Sequence, residues 1–353
     1  MGRSVPLRRG GVSSQFFGGT RNIRLSHTYD DIISLENLCL AWEEFIVGKK
    51  KKQDVVNFAH NLMDNIVELH EALVNRSYRH GSYESFYIND PKRRHIHKAS
   101  VRDRLLHHAV YRILYPFFDR TFIPDSFSCR NDKGIHKAIN RFRTLDYRVS
   151  KNHQRTCWVL KCDIRKFFGS IDHAILFSIL KQHIQDKDIL CLLENIIESF
   201  NTEGKKGVGL PLGNLTSQLF ANVYMNKFDQ WVKHHLKSHY YVRYADDFVF
   251  LSRDKFRLEE AVPKIQAFLQ MHLKLSLHPD KLFISTIASG VDFLGWVHFP
   301  SHRVLRNKTK QRMIRRIQSS VSEESLMSYL GLMSHGNTIQ LREQVIGEYW
   351  LLQ

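Results

Sequence analysis

The chain has 353 residues, 43% of them hydrophobic and 12% aromatic, ample for a sizeable core in one large domain or in two or three subdomains. Lys and Arg number 52 against 35 Asp and Glu, and the resulting formal charge of +17 favours a polyanionic partner. Nucleic acid is preferred to an anionic membrane surface, because no basic amphipathic helix with a clean apolar face is present. No run approaches the roughly 18 apolar residues of a membrane span, and the N-terminus lacks the apolar core of a secretory signal. A soluble, cytosolic protein with no membrane partner is expected.

In chain order, residues 1–28 carry Arg8, Arg9, Gly10, Gly11, Gly18 and Gly19 without periodicity. They read as an extended arm, either lying on RNA or disordered. Helical spacing runs over about 35–74, interrupted by Lys49-Lys50-Lys51-Lys52, a solvated loop or a phosphate contact. Residues 83–88 alternate like a strand and reach the turn signal Asp90-Pro91-Lys92. A second helix is expected over about 100–118, ending near Pro124-Asp125. Residues 158–164 form a short apolar strand that delivers Asp163 at its end, followed by Phe167-Phe168 and one helix over about 173–200. After the glycine-rich stretch 204–213, a helix is expected over 217–236. Two β-prone runs, 240–243 and 248–251, flank Tyr244-Ala245-Asp246-Asp247, which reads as a hairpin with a carboxylate pair at its tip. A helix over about 258–273 follows, then a hairpin over 293–299, then a basic helix from about Lys308 carrying Lys310, Arg312, Arg315 and Arg316.

Five cysteines (Cys39, Cys129, Cys157, Cys162, Cys191), odd in number and never spaced C-x-x-C, suggest neither a disulfide framework nor a zinc site and read as buried small hydrophobes. His235 and His239 lie at i, i+4, yet without a third ligand they read as surface or core residues. The aspartates are different. Two adjacent carboxylates drawn towards a sheet repel each other and call for a cation. Hard oxygen ligands favour Mg²⁺, with Mn²⁺ as a possible substitute, and leave coordination positions for phosphates. Asp163, with Ile164 beside it, would complete a two-metal site with Asp246 and Asp247 for in-line phosphoryl displacement. The alternative is a surface turn with two solvated aspartates.

Tyr244-Ala245-Asp246-Asp247, preceded by Asp163-Ile164-Arg165-Lys166-Phe167-Phe168, resembles the palm motifs of reverse transcriptases, and the other motifs agree in order across about 80–300. Lys92-Arg93-Arg94-His95-Ile96 and Arg102-Asp103-Arg104-Leu105-Leu106-His107-His108 resemble the first fingers block. Ser126-Phe127-Ser128-Cys129-Arg130, with Gly134 and Ala138, resembles the second. Lys281 matches the motif D lysine, and Phe293-Leu294-Gly295-Trp296 resembles the primer grip. Within the superfamily, Gly209-Leu210-Pro211-Leu212-Gly213-Asn214-Leu215-Thr216-Ser217-Gln218 places Leu212 where most members have Gln. That departure resembles the reverse transcriptases of diversity-generating retroelements in bacteria and their phages. The short segment after the palm, lacking maturase-like or endonuclease-like sequence, points the same way.

The resemblance implies an α+β right-hand polymerase fold: an arm over 1–28, fingers with the start of the palm over 29–160, palm with interleaved fingers elements over 161–300, and a short helical thumb over 301–353. It implies an RNA-directed DNA polymerase that uses dNTPs, a template RNA and a primer or growing cDNA. It further implies error-prone copying concentrated at template adenines, and a small basic accessory protein, as an oligomer, for partner. An antiphage-defence or retron-type reverse transcriptase is the first alternative, and an RNA-binding scaffold with a dead palm is the second. The implied roles are metal binding for Asp163, Ile164, Asp246 and Asp247, proton donation to pyrophosphate by Lys281, and triphosphate grip by Lys92 and Arg94. Phe168 would reject a 2′-hydroxyl, while Leu212, Gly213 and Gln218 would line the nascent base pair. Phe293, Leu294, Gly295 and Trp296 would hold the primer, and the helix from Lys308 would track the duplex backbone. The alternatives are a core aromatic at Phe168, an exposed basic loop at Lys92 and Arg94, a surface lysine at Lys281, plain hairpin packing at 293–296 and a solvated helix at 308–316.

Overall fold

The computed structural model describes residues 23–89, 93–319 and 322–351. Most of the predicted arm therefore lies outside the described residues; its last part, 23–28, is neither helix nor strand, and Leu25 donates its N–H to the His183 carbonyl at 2.8 Å. Four helices follow: α1 (Tyr29–Ile33), α2 (Leu35–Phe45), α3 (Gln53–His60) and α4 (Leu62–Val74). The lysine run forms the turn between α2 and α3, where the Lys49 amine donates to the Phe45 carbonyl. A hairpin of β1 (Glu84–Ile88) and β2 (Arg94–Lys98) then leads into α5 (Val101–Asp119), whose N-cap Ser100 accepts from the Asp103 N–H. Next come α6 (Ile135–Val149), β3 (Trp158–Asp163), α7 (His173–His183), α8 (Lys187–Glu198) and α9 (Leu215–His234). The single helix expected over 173–200 is thus two. The break has a local cause: the Asp186 carboxylate accepts from the Asp188 and Ile189 N–H groups and starts a new helix.

The central sheet is antiparallel, in the order β4 (Tyr241–Tyr244), β5 (Asp247–Ser252), β3, β6 (Phe283–Thr286), with α10 (Lys255–Leu273) between β5 and β6. Period-two alternation divides each strand between two cores. Leu160, Cys162, Phe248 and Phe250 face a large cluster shared with α5, α7, α9 and α10. Val159, Val249 and Leu251 face a smaller one formed with Phe142 and Leu145 of α6 and with Phe293. A second sheet, β7 (Val291–Phe293), β8 (Trp296–His298) and β9 (Arg303–Leu305), covers that side and passes the chain to α11 (Asn307–Ser319), α12 (Glu323–Met333) and α13 (Ile339–Trp350). Trp296 is buried among Met313, Ile317, Met333 and Val345 of these helices. The ring lies so close to Gly336 that any side chain there would collide with it.

All five cysteines are free, but the expectation of buried small hydrophobes holds for Cys157 and Cys162 only; Cys129 and Cys191 are exposed and Cys39 is half-buried. Cys191 sits on the outer face of an amphipathic helix and Cys129 in a loop, where burial is not required. No helix among the described residues is long and apolar enough to cross a membrane.

Candidate active site

Register brings the carboxylates together. Asp163 ends β3 directly opposite Asp247, which opens β5, so both side chains leave the same face of the sheet. Asp246 precedes it in the two-residue turn Ala245-Asp246, with Ala245 held at φ +55. Only Asp246 is therefore at the tip of the hairpin; Asp247 belongs to the strand. The turn is held at two points. The Ile164 N–H donates to the Asp246 carbonyl at 3.2 Å, and the Arg243 guanidinium donates to the Ala245 carbonyl at 3.0 Å.

Arg243 and Asp229 of α9 are completely buried and form a forked pair, with Nε to Oδ1 at 2.8 Å and Nη2 to Oδ2 at 2.7 Å. Tyr241 donates its hydroxyl to the same carboxylate at 2.8 Å. Sequence reasoning passed over these residues; an Arg inside an apolar strand run was the available signal, because burying it requires a partner.

Two lysines meet the carboxylates. Lys281 Nζ lies 2.7 Å from Asp163 Oδ1, and Lys161 Nζ lies 3.4 Å from Asp247 Oδ2. Burial pushes the Asp247 carboxyl up to about 7; the Lys161 amine opposes the shift, while Asp163 and Asp246 add to it. Asp247 Oδ1 is buried with no hydrogen-bond partner among the described residues. Among the described residues no three His, Cys, Asp or Glu side chains form a ready-made metal cluster. The donor set nevertheless fits a hard divalent cation: three carboxylates crowd one end of the sheet, one oxygen is orphaned, and ammonium groups stand where positive charge is needed.

The β1–β2 hairpin is tied through β2 to the loop that precedes α9. The His97 N–H donates to the Leu212 carbonyl at 3.0 Å, and Asn214 Nδ2 donates to the His97 carbonyl at 3.4 Å. Gly213 (φ +116) passes so close to Ile96 that a Cβ would stand 3.0 Å from its methyl group. Arg94 shares the Ile96 face of β2 and is exposed. Lys92 lies outside the described residues. Phe168 opens a short 3₁₀ turn, half-buried and edge-on to Phe167, and its carbonyl accepts from the Leu210 N–H at 2.8 Å. Gln218 is half-buried in the first turn of α9. Of residues 293–296, Phe293 and Trp296 are core side chains, and the turn Leu294-Gly295, with φ +52 and +86, is half-buried, the Leu294 side chain packing against both neighbouring clusters.

The family model of the reverse transcriptase (RNA-dependent DNA polymerase) matches residues 89–298, more than half of the chain. The chain belongs to the reverse transcriptase family. RNA-directed DNA polymerisation is the enzymatic activity of that family, a right-hand polymerase fold its architecture, and reverse transcriptases use divalent metal ions. Among relatives, Protein YkfC of Escherichia coli K12 is 24% identical over 267 residues, covering 65% of this chain and 68% of that protein. Group II intron-encoded protein LtrA of Lactococcus lactis is 24% identical over 176 residues, covering 48% of this chain and 28% of LtrA. Retron Ec83 reverse transcriptase of E. coli is 31% identical over 127 residues, covering 34% of this chain and 40% of its own. The chain therefore spans less than half the length of the intron- and retron-encoded reverse transcriptases it matches.

Proposed function

We propose that this reverse transcriptase copies a template RNA into cDNA, adding dNTPs to a primer at Asp163, Asp246 and Asp247. The register that sets Asp163 against Asp247, with Asp246 one residue before it, carries the reading. Bound Mg²⁺ ions, two in number and replaceable by Mn²⁺, would supply activation of the primer 3′-hydroxyl and neutralisation of charge at the phosphoryl group. The three carboxylates would hold the ions. Lys281 stands within reach to donate a proton to departing pyrophosphate, and Arg94, with Lys92, grips the triphosphate. Phe168 bars a 2′-hydroxyl. The turn Leu294-Gly295 supports the primer end, backed by Phe293 and Trp296, and α11, with Lys308, Lys310, Arg312 and Arg315, follows the duplex as part of a thumb over 301–353.

Within this reading, the enzyme is the error-prone polymerase of a diversity-generating retroelement, working in the bacterial cytoplasm with a small basic accessory oligomer. Leu212 supports it: tied to β2 by its carbonyl, it offers an apolar side chain where Gln would offer hydrogen bonds to the nascent pair. Discrimination then lacks a contribution of about 1–2 kcal/mol. Leu212→Gln is expected to lower misincorporation opposite template adenines several-fold with extension retained, as read by deep sequencing of cDNA from one RNA template. A wild type already accurate at adenines overturns the diversification reading and leaves the polymerase standing. The retron relative favours a second reading, a retron-type enzyme; template and variable repeats beside the gene would count against it.

A further inference from the structure

A lysine is costly to bury unless its amine is partnered, and β3 buries one two residues before Asp163. Lys161 is 8% exposed. Its Nζ donates to the Asp292 backbone carbonyl at 2.8 Å and lies 3.4 Å from Asp247 Oδ2. One amine thus joins a carboxylate of the candidate centre to β7, the strand that leads into the Leu294-Gly295 turn. The connection continues. The Asp292 carboxylate pairs with Arg306, whose own N–H donates to the Gly295 carbonyl at 3.1 Å, and Arg306 immediately precedes α11.

We propose that Lys161 is a positioning residue that fixes the primer-supporting turn relative to Asp247 and restricts how that carboxylate meets a divalent ion. The inference rests on the metal-binding assignment of Asp163, Asp246 and Asp247. The two oxygens of Asp247 have different surroundings: Oδ2 faces the amine, while Oδ1 is the buried oxygen without a partner. Oδ1 is therefore the oxygen left to a metal, and Asp247 binds through one oxygen. The amine also repels an incoming cation, so it lowers metal affinity while supplying alignment. Lys281 does not share this role. Its side chain is 40% exposed and can turn to water, whereas moving Lys161 would leave the Asp292 carbonyl unpaired.

The test compares wild type with Lys161→Met, Lys161→Gln and Lys161→Arg. Mn²⁺ affinity is titrated by electron paramagnetic resonance without turnover, and KM for primer–template and kcat are measured in Mg²⁺-dependent extension. Both neutral variants should bind Mn²⁺ roughly three- to ten-fold more tightly, because a nearby positive charge is gone. Lys161→Met should at the same time raise KM for the primer–template, or lower kcat, by about ten-fold, the cost of one lost hydrogen bond and its alignment. Lys161→Arg, which keeps charge and donor, should return both readings towards wild type. Should one neutral variant fail to fold, the other carries the affinity measurement. Looser Mn²⁺ binding together with a lower melting temperature would mark a purely structural lysine and overturn the proposal, as would unchanged Mn²⁺ affinity in the neutral variants. Wild-type Mn²⁺ binding that survives Asp246→Asn and Asp247→Asn together would overturn the metal assignment itself, a separate failure.

Discussion

Phe168 illustrates how a single side chain is fixed by its surroundings. Its backbone carbonyl is held by the Leu210 N–H and its half-buried ring leans edge-on against Phe167. The barrier to a 2′-hydroxyl proposed for Phe168 is steric, and it would disappear with the ring. Phe168→Ala is expected to raise the use of rNTPs relative to dNTPs by about ten-fold or more, since a lost contact of roughly 1–3 kcal/mol translates to that range. Competitive incorporation measured on one template checks it; an unchanged ratio would make Phe168 a packing residue alone. The three aspartates were legible in the sequence because each adjoins an apolar run that no solvated carboxylate needs. Lys161, Asp229 and Arg243 were not, because the partners that make their burial tolerable come from β7, β4 and α9, and only folding brings those together. Residues 293–296 were read as a primer grip or as plain hairpin packing, and strand alternation sends the Phe293 and Trp296 rings into cores.

At the scale of elements, the β4–β5 turn depends on α9. The forked Arg243–Asp229 pair lies in the core beneath the turn, and Arg243 also holds the Ala245 carbonyl. Removing one partner leaves a buried charge uncompensated. Arg243→Met is therefore expected to destabilise the protein by about 3–5 kcal/mol, measured by denaturant unfolding, and to reduce extension even where the variant remains folded. A loss below about 1 kcal/mol would mean that Asp229 finds other donors, such as Tyr241, sufficient. Elements with a strong local signal were legible: α5 from its helical apolar spacing, β3 and β5 from short apolar runs, β7–β8 from Leu294-Gly295. Elements built on tertiary support were not. β2 is Arg-His-Ile-His-Lys, too polar to read as a strand, and it exists because it pairs with β1 and anchors the Leu212 loop. α6 is strongly basic on its outer side, and its buried residues Ala138, Phe142 and Leu145 gain meaning only against Val242 and Val249.

For the molecule as a whole, three hydrophobic clusters are found among the described residues, two of them packed on opposite faces of the central sheet. The large cluster carries the sheet's far face, the smaller one joins α6 to β7, and the third roots α11–α13 on Trp296. The Asp163 and Asp247 side chains lie on the same sheet face as the second cluster. The order of motifs made this architecture readable, whereas the packing of the last three helices depended on contacts with Ile139 and Trp296 that no local pattern reveals. The net charge of +17 belongs to the same account, since binding of RNA should survive loss of the chemistry. Primer extension on an RNA template with Mg²⁺, run beside RNA binding for wild type and Asp246→Asn, tests the central claim most directly. Wild type should extend the primer with dNTPs, and Asp246→Asn should bind RNA almost unchanged while extending nothing detectable. Mg²⁺-dependent extension by Asp246→Asn, or a wild type that binds RNA but never extends, would contradict it.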